Sequence, residues 1–181
     1  MTKRSVLMTA QDIDRSLQRM ALQIMETNRG VDKLALVGIH TGGVFLADRI
    51  KQIISHQEQR ELQVGYLDIT LYRDDWSQIS QLPVVKTTDI PFPVQGWTLV
   101  LIDDVLYTGR TVRAALDAIM DLGRPRSIQL GVLVNRKCGR ELPIQANYAG
   151  LDVLESQNEH VYVLLKEKSG CDEVVLESRE G

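Results

Sequence analysis

Three short, nearly continuous apolar runs constrain what this chain can fold into. They are Leu34–Ile39 (LALVGI), 99–102 (LVLI) and 128–134 (IQLGVLV). An apolar run of this length without polar alternation is typical of a strand that is buried on both faces, as in a parallel sheet covered by helices on each side. The runs therefore predict the central strands of such a sheet.

Segments with helical spacing alternate with these runs. After Thr9, a predicted N-cap, apolar residues recur every three or four positions until Asn-Arg-Gly at 28–30, and a second helix is predicted over 43–57. Further short strands are predicted at 64–71, 160–165 and 174–176. The third helix is predicted to end at Gly123 and to bury Val112, Ala115, Leu116, Ile119 and Met120. Strands that alternate with helices predict an α/β fold, with a mainly parallel sheet flanked by helices, in one domain over 1–181.

The charge and cysteine content exclude several classes of protein. The 181 residues carry a formal net charge of -3, so the whole-protein field does not favour nucleic acid or an anionic membrane. Two isolated cysteines and three scattered histidines predict neither a disulfide framework nor a zinc cluster. No apolar stretch is long enough to cross a membrane, and the first residues lack a signal-peptide pattern. We therefore expect a cytoplasmic protein without a membrane partner.

The stretch LVLIDDVLYTGRT (99–111) carries the clearest chemical signal. Asp103 and Asp104 follow a buried run, where like charges need donors such as the two hydroxyls of a vicinal diol. The tetrad Thr108 to Thr111 lies where a helix begins, and the free N–H groups of a first turn favour a phosphate. Together these features predict a ribose 5-phosphate site. The alternative is an ordinary strand-turn-helix connection with solvated acids and a Thr-Gly cap.

A long segment, 72–97, has no sustained periodicity and contains three prolines, Pro83, Pro91 and Pro93. Loops of this length in compact domains tend to be functional lids. We therefore expect a flexible lid loop over 72–97.

These motifs resemble a known family. The stretch 99–111 resembles the phosphoribosyl pyrophosphate signature of type I phosphoribosyltransferases. Other stretches resemble bifunctional pyrimidine operon regulators that are also uracil phosphoribosyltransferases: VGYLDITLYRDD (64–75), DIPFPV (89–94), GRTVRAALDAIMDLGRPRSIQLGVLVNR (109–136) and GRELPI (139–144). The resemblance implies the type I phosphoribosyltransferase fold. It also implies conversion of uracil and phosphoribosyl pyrophosphate to UMP and pyrophosphate, with Mg²⁺ carried by the pyrophosphate group and no direct metal ligand.

The resemblance also implies roles for individual residues. Arg73, Asp74 and Asp104 are the implied catalytic residues, and Arg136 is implied to face the base. A plain surface ion pair remains the alternative for Arg73. The other implied sites are the ribose and 5-phosphate site, formed by Asp103, Asp104, Val105, Leu106, Tyr107, Thr108, Gly109, Arg110 and Thr111; the pyrophosphate loop, formed by Thr41, Gly42 and Gly43; and the lid residues Tyr72, Arg73, Asp75 and Lys86.

The pyrophosphate loop departs from the family pattern, which usually reads Thr-Arg-Gly. Here Gly42 replaces the arginine, so a cation toward the pyrophosphate is missing. The resemblance implies that this loop keeps its backbone shape, often with a non-proline cis peptide. We therefore expect Gly42→Arg to raise kcat/KM about 10- to 100-fold.

Family members also bind the leader mRNA of the pyrimidine operon through a basic face. Of that face, Arg19 and Arg140 remain, whereas several usual basic or polar positions are Gln18, Leu22, Thr27, Gln145 and Leu151. Three alternatives stay open: an enzyme that also regulates through RNA, an enzyme alone, and a nucleotide-binding regulator with weakened catalysis. The family's habit implies a homodimer or higher homo-oligomer.

Overall fold

The computed structural model describes residues 2–74, 86–154 and 159–179. The helices are α1 (Ala10–Asn28), α2 (Gly42–Glu58), α3 (Arg110–Leu122) and the single turn α4 (Lys166–Ser169). The strands are β1 (Thr2–Met8), β2 (Leu34–Ile39), β3 (Gln63–Leu67), β4 (Thr98–Leu106), β5 (Ser127–Arg136), β6 (Tyr148–Val153), β7 (Glu159–Leu164) and β8 (Glu173–Arg179). Among the described helices, none has both the length and the apolar character needed to cross a membrane.

The central sheet has the strand order β3-β2-β4-β5-β6, and every neighbouring pair is parallel. Its strands are apolar on both faces because helices cover both. Leu36, Val100 and Ile102 pack toward α1 and α2. Val37 and Leu101 pack toward α3 on the opposite face. The prediction of a mainly parallel sheet flanked by helices is confirmed.

Helix α1 begins and ends as its sequence predicts. The Thr9 hydroxyl accepts a hydrogen bond from Asp12 N–H, and the Asp12 carboxylate accepts one from Thr9 N–H, which forms a capping box. The chain leaves the helix through Arg29 in the left-handed conformation. Between these two caps, the apolar face of α1 is buried against the sheet.

Some predicted boundaries and core positions were wrong. Strand β3 ends at Leu67, not at 71, because the Asp68 carboxylate accepts the Thr70 N–H and turns the chain into a 3₁₀ turn over Thr70–Tyr72. Met120, predicted to be buried, is 56% exposed, while Ala114 and Ala118 line the buried face of α3 instead. The buried face of α3 is therefore shifted toward Ala114 and Ala118 and made of smaller side chains than predicted.

A second, antiparallel sheet of three strands was not predicted. Its order is β1-β8-β7, so the first strand of the chain pairs with the last. Val163 of β7 and Leu165 pack against the core on the α1 and α2 side of the central sheet. This small sheet lies next to the carboxyl edge of the central sheet, because Val163 and Leu165 share a cavity with the loop that follows β2.

Candidate active site at the carboxyl edge of the sheet

The two loops predicted to carry chemistry lie side by side. Strands β2 and β4 are parallel neighbours, so the loop after β2 and the acidic pair of β4 lie at the same edge. Gly42 lies directly against Asp104: a Cβ added at Gly42 would stand 2.7 Å from Asp104 Cγ. The predicted pyrophosphate loop and the predicted ribose-binding acids are therefore contiguous.

Gly43 lets this loop approach β4 closely. A Cβ at Gly43 would stand 3.0 Å from the carbonyl carbon of Ile102 and still nearer its oxygen. Because the obstacle is backbone, no side chain could be accommodated without moving the loop. The peptide bond between His40 and Thr41 is cis, as the resemblance implied for this loop.

Asp103 is buried and Asp104 half-buried, and neither carboxylate forms a salt bridge with another described residue. Asp103 is 6% exposed and accepts a hydrogen bond from Asp104 N–H at 2.9 Å, while Asp104 accepts one from Val105 N–H at 2.8 Å. Burial raises the pKa of Asp103 well above its usual value, and the neighbouring charge of Asp104 raises it further. Burial also raises the pKa of Asp104. The alternative of two solvated acids is wrong for Asp103, which is withdrawn from water, whereas Asp104 is half-buried.

The predicted phosphate loop begins α3. Gly109 has φ +94, which favours glycine, and it supplies no side-chain cap to α3, whose first N–H group, on Arg110, donates to Thr108 Oγ1 at 3.3 Å. The Thr108 carbonyl accepts the N–H groups of Glu141 and Leu142 at 3.0 and 3.2 Å, so the segment after β5 supports the loop. The first turn of α3 therefore offers backbone donors to an anion.

The Arg110 side chain is directed away from this anion site. Its guanidinium pairs with Asp74 and with Glu141, each at 2.6 Å. The Tyr72 hydroxyl donates to Asp121 at 2.7 Å, and the Tyr72 carbonyl accepts from Arg113 at 2.9 Å. The first residues of the predicted lid are thus joined to α3.

The remaining predicted lid residues lie in different surroundings. Arg73 is exposed, and Asp75 lies outside the described residues together with the rest of 75–85. Lys86 Nζ donates to Thr41 Oγ1 at 2.8 Å, so Lys86 brings an ammonium group to the pyrophosphate loop. Two residues further along the segment, Phe92 and Val94, are buried in the core. A lid that is flexible over all of 72–97 does not fit this packing, and the lid itself stays a prediction.

Arg136 lies at the end of β5 against an aromatic ring. Its side chain is buried, its Cζ is 3.7 Å from the centre of the Tyr107 ring, and Nη2 donates to the Glu159 carbonyl at 2.9 Å. A Cβ at Gly139 would stand 2.7 Å from Tyr107 Cζ, so Gly139 also packs on this ring. The guanidinium predicted to face the base is thus oriented by stacking.

The two predicted RNA contacts have partners within the fold. Arg19 is exposed and donates to the Gly150 carbonyl at 2.5 Å. Arg140 donates to the Tyr107 carbonyl and to Asn135 Oδ1, the latter at 2.9 Å. These bonds show that Arg140 joins the Tyr107 backbone to Asn135. The assignment of Arg140 to an RNA surface stays a prediction.

Asn135 is a site residue that sequence reasoning missed. It is buried beside Arg136, donates to Asp152 at 2.8 Å and accepts from Arg140. A cavity of about 550 Å³ lies next to it, lined also by Lys137, Arg140 and Gln145. The signal available in the sequence was a polar residue placed at the end of an apolar run, directly before the predicted base-facing arginine.

The phosphoribosyl transferase domain family matches residues 7–168, which is most of the chain. The chain belongs to this family. This phosphoribosyltransferase is similar to curated proteins named "Bifunctional protein PyrR": the protein from Thermus aquaticus is 54% identical over 97% of this chain and 96% of the relative. The protein from Syntrophobacter fumaroxidans is 52% identical over 95% of this chain and 92% of the relative.

Solved structures with the same fold are more distant in sequence. A hypoxanthine phosphoribosyltransferase from Staphylococcus aureus superimposes with a TM-score of 0.70 at 18% identity, covering 94% of this chain and 90% of that chain. The Trypanosoma cruzi hypoxanthine phosphoribosyl transferase gives a TM-score of 0.72 at 15% identity, covering 97% and 91%. The prediction of a type I phosphoribosyltransferase fold is confirmed.

Proposed function

We propose that this phosphoribosyltransferase transfers the 5-phosphoribosyl group of phosphoribosyl pyrophosphate to uracil, which yields UMP and pyrophosphate. The observation that carries the proposal is the pair formed by the buried Asp103 and the half-buried Asp104, placed against Gly42 and before the first turn of α3. Carboxylates that form no salt bridge with a described residue suit the two ribose hydroxyls as donors. The first turn of α3 suits the 5-phosphate, and the loop after β2 suits the pyrophosphate.

The reaction builds opposite charges on its two fragments. Cleavage at ribose C1 leaves positive charge on the ribose and negative charge on the pyrophosphate. In the proposed complex, Asp103 and Asp104 lie on the ribose side, while Lys86 lies on the pyrophosphate side through its contact with Thr41. The two carboxylates therefore face the positive charge that develops on the ribose, and the Lys86 ammonium group faces the negative charge that develops on the pyrophosphate.

Magnesium enters this scheme as part of the substrate. Mg²⁺ prefers oxygen ligands and is held in many phosphate sites by one or two carboxylates together with substrate phosphates. Asp104 fits this donor set because its carboxylate is turned toward the pyrophosphate loop at Gly42. Bound there, Mg²⁺ would neutralise part of the pyrophosphate charge.

Arg136 is the proposed contact to the uracil base. A guanidinium is a donor that is always charged, and a pyrimidine carbonyl oxygen accepts from it. The stacking of Arg136 on Tyr107 and its bond to the Glu159 carbonyl fix the orientation of its guanidinium group. This arrangement supports recognition of an oxygen on the base.

Pyrophosphate release with different bases tests the enzymatic proposal. We expect release that depends on uracil, with at most one hundredth of that rate for hypoxanthine or guanine, the purine alternatives that the structural neighbours suggest. Release that depends on a purine and not on uracil would overturn the proposed substrate. No release with any base, from a protein that still binds UMP, would favour the regulator with weakened catalysis.

Regulation through leader RNA is a second proposed function. It is supported by the word "bifunctional" in the printed names of relatives that are about half identical to this chain. Arg19 is exposed on α1 and is the best placed of the two predicted contacts. Filter binding of pyrimidine-operon leader RNA in the presence of UMP tests it: we expect weaker binding after Arg19→Ala. Equal retention of leader RNA and a scrambled RNA would contradict regulation through RNA and favour the alternative of an enzyme without a regulatory role.

We also propose that the protein acts in the cytoplasm as a homodimer or larger homo-oligomer. Leu71 and Leu122 support self-association because they are 66% and 49% exposed and line one shallow apolar cavity. Sedimentation velocity at micromolar concentration tests the assembly. We expect a dimer or larger species, and a monomer at all concentrations would contradict it.

A further inference from the structure

A small cavity of about 130 Å³ separates the pyrophosphate loop from the antiparallel sheet. Thr41, Gly42, Asp104 and Lys168 of α4 all line this cavity. The rest of the wall is apolar, formed by Phe45, Val163 and Leu165. Lys168 is therefore the cation of this cavity, and it comes from a part of the chain far from the loop in sequence.

The position of α4 is fixed by a partly buried ion-pair network. Arg49, on the helix that begins at Gly42, binds Glu167 through Nε at 2.9 Å and through Nη2 at 2.7 Å. The same Nη2 binds Asp172 at 2.7 Å, and Asp172 accepts the Lys166 N–H at 2.8 Å. The Arg49 side chain is only 14% exposed. Because one arginine joins both ends of the α4 turn to α2, Lys168 is held beside the start of that helix.

The Lys168 ammonium group has no ion-pair or hydrogen-bond partner among the described residues, unlike the side chains of Arg49 and Glu167. Its charge nevertheless acts on the site, because it lowers the pKa of Asp104 and so opposes the effect of burial on that carboxyl. The Lys168 ammonium group lines the same cavity as Asp104 and the backbone of the Thr41-Gly42-Gly43 loop. It can therefore bind a polyanion that enters this cavity.

We propose that Lys168 binds the pyrophosphate group of phosphoribosyl pyrophosphate and supplies the charge that the Thr41-Gly42-Gly43 loop lacks. This inference rests on the proposed function. The loop contributes only backbone donors and the Thr41 hydroxyl, and Lys86 reaches it from one side. Lys168 lines one cavity together with Thr41 and Gly42 of the same loop. Arg49, Glu167 and Asp172 are positioning residues, since they hold α4 and do not line the cavity.

Glycine at 42 is part of this arrangement. A larger side chain would begin 2.7 Å from Asp104 Cγ and 2.9 Å from Asp104 Cβ, so it would displace Asp104 or enter the space that Lys168 faces. The expectation that Gly42→Arg raises kcat/KM is therefore not supported by the geometry. An arginine at 42 would bring its charge to the cavity that Lys168 also lines. We therefore expect Gly42→Arg to raise kcat/KM only in a variant that lacks Lys168.

The test compares Lys168→Ala with Lys166→Ala, which removes an exposed lysine of the same turn that does not line the cavity. We expect Lys168→Ala to raise KM for phosphoribosyl pyrophosphate about 10- to 100-fold, as for loss of a charged hydrogen bond. KM for uracil and the affinity for UMP, which lacks a pyrophosphate group, should change less than about 2-fold. Lys168→Arg should recover most of the loss, and Lys166→Ala should match the wild type.

Calorimetric titration with Mg²⁺ and pyrophosphate gives a readout that needs no turnover, so it separates this proposal from the proposed function. A wild type that binds pyrophosphate but does not turn over uracil would contradict the enzymatic proposal and leave the role of Lys168 measurable. Equal pyrophosphate affinity of Lys168→Ala and Lys166→Ala would overturn the role of Lys168. Loss of UMP affinity as large as the loss of pyrophosphate affinity would also overturn it, because it would indicate a general disturbance of the site.

Discussion

The carboxylate of Asp104 lies over the backbone of Gly42, so close that a Cβ on Gly42 would stand 2.7 Å from Asp104 Cγ. This contact joins the end of β2 to the end of β4 without an intervening side chain. In the proposed complex, the bond that breaks joins the ribose held by β4 to the pyrophosphate held by the loop after β2. Close approach of the two loops is what allows one substrate to contact both.

Gly43 should tolerate substitution less well than Gly42. Gly43→Ala pushes a methyl group into the Ile102 carbonyl. Gly42→Ala meets the Asp104 side chain, whose carboxyl group can rotate although its Cβ would stand 2.9 Å from the added methyl group. We expect Gly43→Ala to lower the free energy of unfolding by about 1–3 kcal/mol and to abolish phosphoribosyl pyrophosphate binding. Urea unfolding and calorimetry measure both quantities. Equal destabilisation by Gly42→Ala and Gly43→Ala would contradict the claim that the Ile102 carbonyl makes position 43 the less tolerant of the two.

The acidic pair should make stability depend on pH. Burial raises the pKa of Asp103 and Asp104 in the folded state above their ordinary value of 3.8. Their contribution to stability is therefore fully present below the unfolded pKa and is lost as pH rises through the folded pKa. A variant with Asp103→Asn and Asp104→Asn does not titrate there, so its stability relative to wild type should increase from about pH 4 to pH 8.

Urea unfolding at several pH values measures this difference. A stability difference for the double variant that does not change with pH would mean that the two carboxyls titrate alike in the folded and unfolded states.

Tyr107 should support Arg136 through its ring and not through its hydroxyl. The Arg136 guanidinium lies 3.7 Å from the ring centre. Removing the ring in Tyr107→Ala should raise KM for uracil about 2- to 30-fold, since a cation–π contact contributes about 0.5–2 kcal/mol. Tyr107→Phe keeps the ring and should stay within about 2-fold of wild type. A larger effect for Tyr107→Phe than for Tyr107→Ala would assign the role to the hydroxyl instead.

Arg49 should stabilise the fold more than an exposed arginine with a similar ion pair. Arg49 is 14% exposed and binds two carboxylates, whereas Arg60 is 64% exposed and, within the part of the chain that the structure describes, pairs only with Asp32. We expect Arg49→Met to lower the free energy of unfolding by about 2–3 kcal/mol. Arg60→Met should cost less than about 1 kcal/mol. Equal losses in urea unfolding would show that the network around α4 adds nothing beyond a surface pair.

Strand bounds were predicted best from the sequence where a strand is fully buried. Strand β2 was predicted with its observed bounds because helices cover both of its faces, which leaves an unbroken apolar run. Strand β6 (YAGLDV) escaped prediction because it is an edge strand with mixed burial, so it shows neither an apolar run nor clean alternation. Strand β1 escaped because its partner β8 lies at the other end of the chain.

The candidate site was predictable where its residues adjoin a strand end. Asp103, Asp104 and Gly42 lie there, and the parallel register of β2 and β4 brings them together. Lys168 was not predictable, because its place depends on the contact of Arg49 with Glu167 and Asp172, more than a hundred positions away in the chain. Arg140 was predicted for an RNA surface from resemblance alone, and its bonds to Asn135 and to the Tyr107 carbonyl emerge only in the folded chain.

Calorimetric titration of UMP tests the ribose assignment most directly. The wild type should bind UMP at least about 100-fold more tightly than the variant with Asp103→Asn and Asp104→Asn, because two charge-assisted hydrogen bonds are lost. With 2′,3′-dideoxy-UMP, which lacks both hydroxyls, wild type and variant should bind alike. Equal affinity of both proteins for UMP, with the variant shown to be folded by circular dichroism, would contradict the account.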